Sequence, residues 1–200
     1  RPPTWARTSS SADQIEFSGG KKNTINFEFV KGRLKARYAP SSPQASIRYF
    51  EQLSKENPTN ENKYAYLTAL QGIGDFKKAL MLVDELLSKY PKNLILNITK
   101  SEISAQNKTI QAEEIVRELL ISKNNDPHLW MLLSEIQRSG KNILGYHLSR
   151  GEYYLLLGDL ENALNQFQFA LRLSSNSFQT SETIMTKIKY AQDRLGQKRG

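Results

Sequence analysis

The chain contains no cysteine, which excludes disulfide bonds and metal sites built on thiolates. It has no apolar run near the roughly 20 residues that a membrane-spanning helix needs, so we expect no membrane span. Histidine is scarce: neither His128 nor His147 has Asp, Glu or His at metal-ligand spacing, and H-E-x-x-H is absent. We find no convincing strand to carry a glycine-rich phosphate loop and no Ser-His-Asp set. We therefore expect this chain alone to be neither an enzyme nor the holder of a cofactor.

Basic residues, in contrast, are in excess. The 28 Lys and Arg outnumber the 20 Asp and Glu, giving a net charge of +8. Such a balance suits nucleic acid, anionic lipid headgroups or acidic protein partners. The charges are dispersed, however, and the one dense cluster is Lys31, Arg33, Lys35 and Arg37. This dispersal favours solvated helix faces over a nucleic-acid groove.

The stretch 60–93 reads as two amphipathic helices separated by Gly74-Asp75. Glycine can adopt the left-handed conformation that ends a helix, and Asp75 can cap the helix that follows. Pro91 stops the second helix. A lone helix pair cannot bury both apolar faces, so the stretch requires similar neighbours. The apolar positions recur at helical spacing: Tyr64, Tyr66, Leu67 and Leu70, then Phe76, Ala79, Leu80, Val83, Leu86 and Leu87.

A second copy of the motif lies near the C-terminus, where GDFKKAL of 74–80 recurs as GDLENAL of 158–164. The small residues Ala79 and Ala163 fall where two helices would cross. This pattern resembles the tetratricopeptide repeat, whose unit is about 34 residues long. The resemblance predicts an all-α, right-handed solenoid of antiparallel helix pairs with about ten helices. A non-repeat helical bundle is the alternative.

Along the chain, residues 1–24 read as a linker or extended arm with Trp5 and Phe17 as possible anchors. Residues 25–200 read as the repeat domain, ending in a capping helix with Lys187 on its polar outer side. Ser42-Pro43 and Asp126-Pro127 each suggest a capped helix start. The predicted helices are approximately 25–38, 43–56, 60–73, 76–90, 93–106, 109–123, 127–138, 141–157, 160–173 and 179–195, with a frayed tail.

The repeat changes register near the end, because Gly140 and Gly158 are only about half a repeat apart. The eighth helix, 141–157, is therefore predicted to act twice. It is the second helix of the pair with the seventh and the first helix of the pair with the ninth.

Stacked helix pairs present a concave surface lined by the first helix of each pair. A mixture of aromatic, amide and hydroxyl groups there suits an extended peptide or a partner helix. Tyr64 and Trp130 are equally compatible with packing between helices. A terminal-carboxylate clamp is not indicated, because Lys35 stands where an Asn is expected. The predicted surface comprises Lys31, Lys35, Tyr38, Tyr64, Thr68, Gln71, Asn97, Ser101, Ser104, Trp130, Ser134 and Gln137.

The order of segments is similar to the C-terminal part of BepA-like periplasmic zinc metallopeptidases. The segments are an opening RPP…T, then DPHLWMLLSEIQRSGKN, GYHLSRGEYYLLLGDLENAL and a final AQDRLGQ. Arg1-Pro2-Pro3 and Thr8 would be the tail of the peptidase domain. The resemblance implies a periplasmic, non-catalytic domain that binds outer-membrane assembly machinery, client proteins or its own peptidase domain. Zinc would belong to the parent peptidase domain.

Three functional hypotheses remain open, and the first is the partner-binding domain of such a peptidase. The chain starts at Arg1 and not at Met, so we expect it to be part of a longer protein. A free-standing tetratricopeptide scaffold of a secretion or pilus-assembly complex would instead be a complete short gene. RNA binding by a basic helical array would show steep salt dependence. An enzyme in its own right is the least favoured.

Overall fold

The computed structural model describes residues 21–37, 42–106 and 109–199. These residues form ten α-helices and no strand. None of the helices in this part of the chain is long and apolar enough to cross a membrane. The helices are α1 Lys21–Arg37, α2 Pro43–Glu56, α3 Asn60–Gly72, α4 Phe76–Lys89, α5 Leu94–Ser104, α6 Thr109–Ser122, α7 Pro127–Ser139, α8 Ile143–Leu156, α9 Leu160–Leu173 and α10 Phe178–Arg199.

The chain divides into two compact units, Arg1–Ile103 and Ser104–Gly200. In unit 1, α3 is central, because α1, α2 and α4 all pack against it. Its core is the apolar stripe predicted for α3 and α4, completed from α1 and α5. Its fully buried members are Phe29, Tyr64, Leu67, Leu70, Ala79, Val83, Leu86, Leu96 and Ile103.

In unit 2, each helix from α6 to α10 packs against the next one along the chain. The connections are short, so neighbouring helices run antiparallel. The best-defined core lies around α9, where Ala163, Phe167 and Ala170 meet Ile184 of α10.

The two glycine turns form as predicted. Gly74 and Gly158 take left-handed φ values of 79° and 74°. Asp75 then accepts a hydrogen bond from the backbone N–H of Lys78 at 3.2 Å, and Asp159 accepts one from that of Asn162 at 3.3 Å. Each motif therefore ends one helix and starts the next.

A side-chain cap is predicted at the two helix starts that contain proline, and it is found at one of them. Asp126 caps α7 by accepting from the backbone N–H of His128 at 3.0 Å. Ser42 makes no side-chain cap to α2, although Pro43 begins that helix. Its hydroxyl lies 3.4 Å from Gln44 Oε1 instead, so the predicted cap at Ser42 is wrong.

Two predicted boundaries also change. Helix α1 begins at Lys21, so it overlaps the arm predicted for 1–24. Helix α10 continues to Arg199, through the stretch predicted to fray. A single glycine such as Gly196 costs a helix only about 1 kcal/mol, which is not enough to end it without a turn partner. Trp5 and Phe17 lie outside the described residues.

Helix α8 has the double role predicted for it, because it packs against both α7 and α9. Glycines mark the two contact faces. A Cβ on Gly145 would lie 2.7 Å from Gln137 Nε2 of α7. A Cβ on Gly151 would overlap the ring of Phe167 of α9. Small residues on opposite sides let one helix pack closely against two neighbours.

Candidate binding groove in the second unit

Unit 2 contains a cavity of about 360 Å³, which we call the groove. Its two long walls are helical stripes from α8 and α10, which run in the same direction because both are antiparallel to α9. Helices α6 and α7 complete it. The lining residues are Arg117, Trp130, Gln137, Gly145, Leu148, Ser149, Glu152, Gln179, Thr180, Thr183, Ile184 and Lys187.

Trp130 supplies the one aromatic ring among these lining residues. Its indole Nε1 donates a hydrogen bond of 2.6 Å to the backbone carbonyl of Asn124. This bond fixes the ring while leaving it partly exposed. A large ring held in place before binding loses little conformational entropy when a partner packs on it.

A polar network forms the floor of the groove. Ser149 Oγ donates to Gln137 Oε1 at 2.7 Å, and Gln137 Nε2 donates to Glu113 Oε1 at 2.9 Å. The Arg117 guanidinium donates to the same oxygen through Nε at 2.9 Å and Nη2 at 2.6 Å. Burial acts to raise the pKa of Glu113, but the hydrogen bonds from Gln137 and Arg117 outweigh it, so that pKa is lowered. The network therefore keeps an ionised carboxylate beneath the groove.

Gly145 makes room for this floor. A Cβ at that position would lie 2.6 Å from Asn142 Nδ2 and 2.7 Å from Gln137 Nε2. Any larger residue would push these two amide groups out of place.

Two ion pairs border the groove, and in both the cation is the more exposed partner. Lys187 pairs with Glu152, with 35% of the lysine side chain exposed against 15% of the glutamate. Arg117 pairs with Glu113 at 2.6 Å, with exposed fractions of 56% and 21%. The carboxylates lie deeper than the cations, so the surface of the groove is more positive than its composition suggests.

The groove contains only two of the residues predicted to face a partner, Trp130 and Gln137. Gln137 is almost fully buried and acts as part of the floor. Ser134 is buried and donates to the backbone carbonyl of Met131 at 2.7 Å.

In unit 1, several predicted contact residues are used in internal packing. Tyr64 is buried, its ring lies 5.3 Å from that of Phe29, and its hydroxyl is 2.7 Å from Thr99 Oγ1. Burial raises the pKa of this phenol despite the bond to Thr99. Ser101 is buried and donates to the carbonyl of Ile98. Ser104, the last residue of α5 and the first residue of unit 2, is buried as well. The side chains of Tyr64, Ser101, Ser104, Ser134 and Gln137 are thus buried and not exposed on a surface, and a role for them in partner binding stays a prediction.

The other predicted residues of unit 1 also bond within the unit. Lys31 and Lys35 both pair with Glu61 of α3. Thr68 donates to the Tyr64 carbonyl, and Asn97 Nδ2 donates to the carbonyl of Asn93 at 2.8 Å. Gln71 is half-buried, and Tyr38 lies outside the described residues. A role for these side chains in partner binding stays a prediction.

Sequence reasoning missed most of the groove. It counted the inner wall only as far as α7 and treated α10 as a cap, with Lys187 on the solvent side. Lys187 instead faces Glu152 across the groove. The signal was available in the double role of α8, which places Ser149 and Glu152 beside the helix after α9.

Within the described part of the chain, no group of three or more His, Cys, Asp or Glu side chains is placed to hold a metal ion. His147 lies against the Phe169 ring at 5.2 Å, and its Nδ1 is 2.8 Å from Gln166 Oε1. Its contacts are those of a packing residue.

No protein-family profile matches the sequence, and no curated protein matches it either. A similar solved structure is that of MamA (41-end) from Desulfovibrio magneticus RS-1, with a TM-score of 0.53. The two chains share 15% identity over 87% of this chain and 95% of the MamA chain. The fold is tetratricopeptide-like. The all-α, helical-repeat prediction is confirmed. The likeness to MamA does not show the predicted relationship to a peptidase.

Proposed function

We propose that this chain is a non-catalytic protein-interaction module, and that unit 2 binds a segment of a partner protein in the groove. The observation that carries this proposal is the open space between α8 and α10, lined by a stripe from each helix and by the fixed Trp130 ring. Tetratricopeptide-like helical repeats present such surfaces for partner proteins.

The chemistry of the lining supports a peptide segment. The partly exposed Leu148 offers apolar contact, while Gln179, Thr180 and Thr183 offer hydrogen bonds to a peptide backbone. Apolar anchors beside a large aromatic ring are the typical centre of a protein interface.

The test is site-specific photo-crosslinking in cells of the source organism. A photoreactive residue replaces Thr183, which lines the groove, or Thr186, which does not. The two positions are matched, because both are exposed and each hydroxyl bonds the carbonyl four residues earlier at 3.0 Å. We expect a discrete adduct from position 183 that is lost when the groove is filled by Thr180→Phe, at a partly exposed lining position. Equal adducts from both positions, or an adduct that survives Thr180→Phe, would contradict the proposal.

We also propose a finer assignment, which rests on sequence resemblance alone. In it, the chain is the partner-binding half of a periplasmic zinc metallopeptidase that acts in outer-membrane protein assembly and quality control. The genomic reading frame upstream of Arg1 tests it. An upstream H-E-x-x-H segment and a secretion signal would support it. A short gene that lacks both would favour a free-standing scaffold, with the groove proposal unaffected.

A further inference from the structure

We infer that the groove selects an acidic, extended segment carrying one apolar side chain. This inference rests on the proposed function and adds the chemical class of the partner. Three features of the groove carry it: the arrangement of its ion pairs, its apolar centre and its elongated shape.

The ion pairs supply the charge preference. Both cations are more exposed than their carboxylates. Glu113 is fixed by Gln137, while Glu152 is held by Lys187 of α10. A ligand in the groove can therefore contact more of the Lys187 and Arg117 side chains than of the Glu152 and Glu113 side chains. Ligand carboxylates gain from these contacts, whereas ligand cations are repelled.

The apolar centre supplies the anchor. Leu148 of α8 and the Trp130 ring of α7 are both partly exposed in the groove, whereas Ile184 of α10 beside them is fully buried in the core. An aliphatic side chain packed on Leu148 and Trp130 would remove apolar surface from water without displacing a buried polar group. The cations on α10 and α6 would then contact residues that flank this anchor.

A peptide fits this arrangement better than nucleic acid. Single-stranded nucleic acid is usually held by several aromatic rings on which successive bases stack. The groove has one aromatic ring and one partly exposed aliphatic side chain, Leu148, which suit a side chain more than a row of bases. Two partly neutralised cations are also few for a phosphate backbone.

The experiment measures binding of short blocked peptides to the full chain. The probes share a central Leu and differ only in their flanking residues, which are Asp/Glu, Asn/Gln or Lys. Isothermal titration calorimetry measures each affinity, so variants that carry an added Trp can be compared directly with the unchanged chain. We expect the acidic peptide to bind about tenfold more tightly than the basic one, since each exposed pair contributes a few-fold in affinity.

Two variants with opposite expected effects test the charge argument. Lys187→Gln should weaken acidic-peptide binding about threefold, whereas Glu152→Gln should tighten it about threefold by removing the competing carboxylate. A purely structural ion pair predicts that both substitutions weaken binding. Thr183→Trp should abolish binding of all three peptides, and the matched Thr186→Trp should leave it unchanged.

The outcomes separate the inference from the proposed function. Equal binding of all three peptides, all blocked by Thr183→Trp, would overturn the acidic preference but keep the groove as the site. Binding that ignores Thr183→Trp would overturn both. A single-stranded RNA oligomer that displaces the acidic peptide at equal concentration would assign the groove to nucleic acid and overturn the inference.

Discussion

The two units differ in how closely their neighbouring helices approach one another. In unit 1, α1 and α3 approach so closely that a Cβ on Gly32 of α1 would overlap the Glu61 carbonyl oxygen and lie 3.1 Å from the Ala65 backbone nitrogen of α3. The rings of Phe29 and Tyr64 occupy the remaining space. In unit 2, Ser149 and Gly145 stand on the wall of α8 that borders α10, and the groove remains open. The size of a few side chains therefore decides whether neighbouring helices leave room for a partner.

The ion pairs beside these two places, the contact of α1 with α3 and the groove, differ as well. In unit 1, Lys31, Lys35 and Glu61 are equally well covered, with 14–15% of each side chain exposed. In unit 2, the cations of the groove are clearly more exposed than their carboxylates. Covered pairs hold helices together, whereas half-exposed cations remain accessible to a ligand.

The largest effect is expected from removing the Tyr64 ring from the core of unit 1. Tyr64→Ala should lower the free energy of unfolding by about 4 kcal/mol, because it leaves a cavity and removes the bond to Thr99. Tyr64→Phe should cost only about 1 kcal/mol, since the ring stays. Urea denaturation of both variants measures this. A loss below about 1 kcal/mol for Tyr64→Ala would show that the ring does not fill the unit.

The next largest effect is expected from adding a methyl group to α8, the helix that packs against both α7 and α9. Gly151→Ala should destabilise unit 2 by about 2 kcal/mol, because the new methyl group overlaps the Phe167 ring. Gly72→Ala, where nothing lies within 4 Å of the added carbon, is the control and should stabilise its helix slightly. Thermal unfolding compares them. Combining Gly151→Ala with Phe167→Leu should recover part of the loss, and no recovery would contradict this explanation.

A smaller and matched effect is expected at the two turn motifs. Asp75→Ala and Asp159→Ala each remove one helix cap and should cost about 1 kcal/mol. Hydrogen exchange should show the loss in α4 for the first variant and in α9 for the second. Faster exchange throughout both units from either variant would mean that the units do not respond separately.

The smallest effects concern two glutamates whose pKa values shift in opposite directions. The pKa of Glu113 in unit 2 is lowered, so its ionised form stabilises the fold at neutral pH, and this stability is lost as pH falls through the lowered value. Burial raises the pKa of Glu102 in unit 1 more than Arg33 lowers it. Stability from Glu102 is therefore lost as pH rises from the usual glutamate range through the raised value.

Substitution by glutamine tests this difference. At neutral pH we expect Glu113→Gln to destabilise and Glu102→Gln to stabilise, and both differences should shrink once the two carboxyls are protonated in acid. Urea denaturation at neutral and acidic pH measures this. Changes of the same sign for both variants would contradict the opposite shifts.

Local patterns predicted the fold well because they depend on neighbouring residues. The turns at Gly74 and Gly158 and the double role of α8 follow from glycine conformation and helical spacing. The groove did not follow, because a helical period does not tell which face of a first helix meets its neighbour. Tyr64 could have served as a binding ring or a core ring, and only the approach of α1 decides in favour of the core. Lys187 looked like a solvent residue because Glu152 is distant in sequence.

The double role of α8 also bears on how such a chain can lengthen. A strict repeat grows by whole helix pairs, which fixes the direction of every later helix relative to the earlier ones. A helix with a glycine on each side can join two neighbours by itself, so an odd number of helices can be inserted or lost at that point. Such an event would reverse the direction of every helix downstream and present a different set of side chains, without any change to the local packing rules.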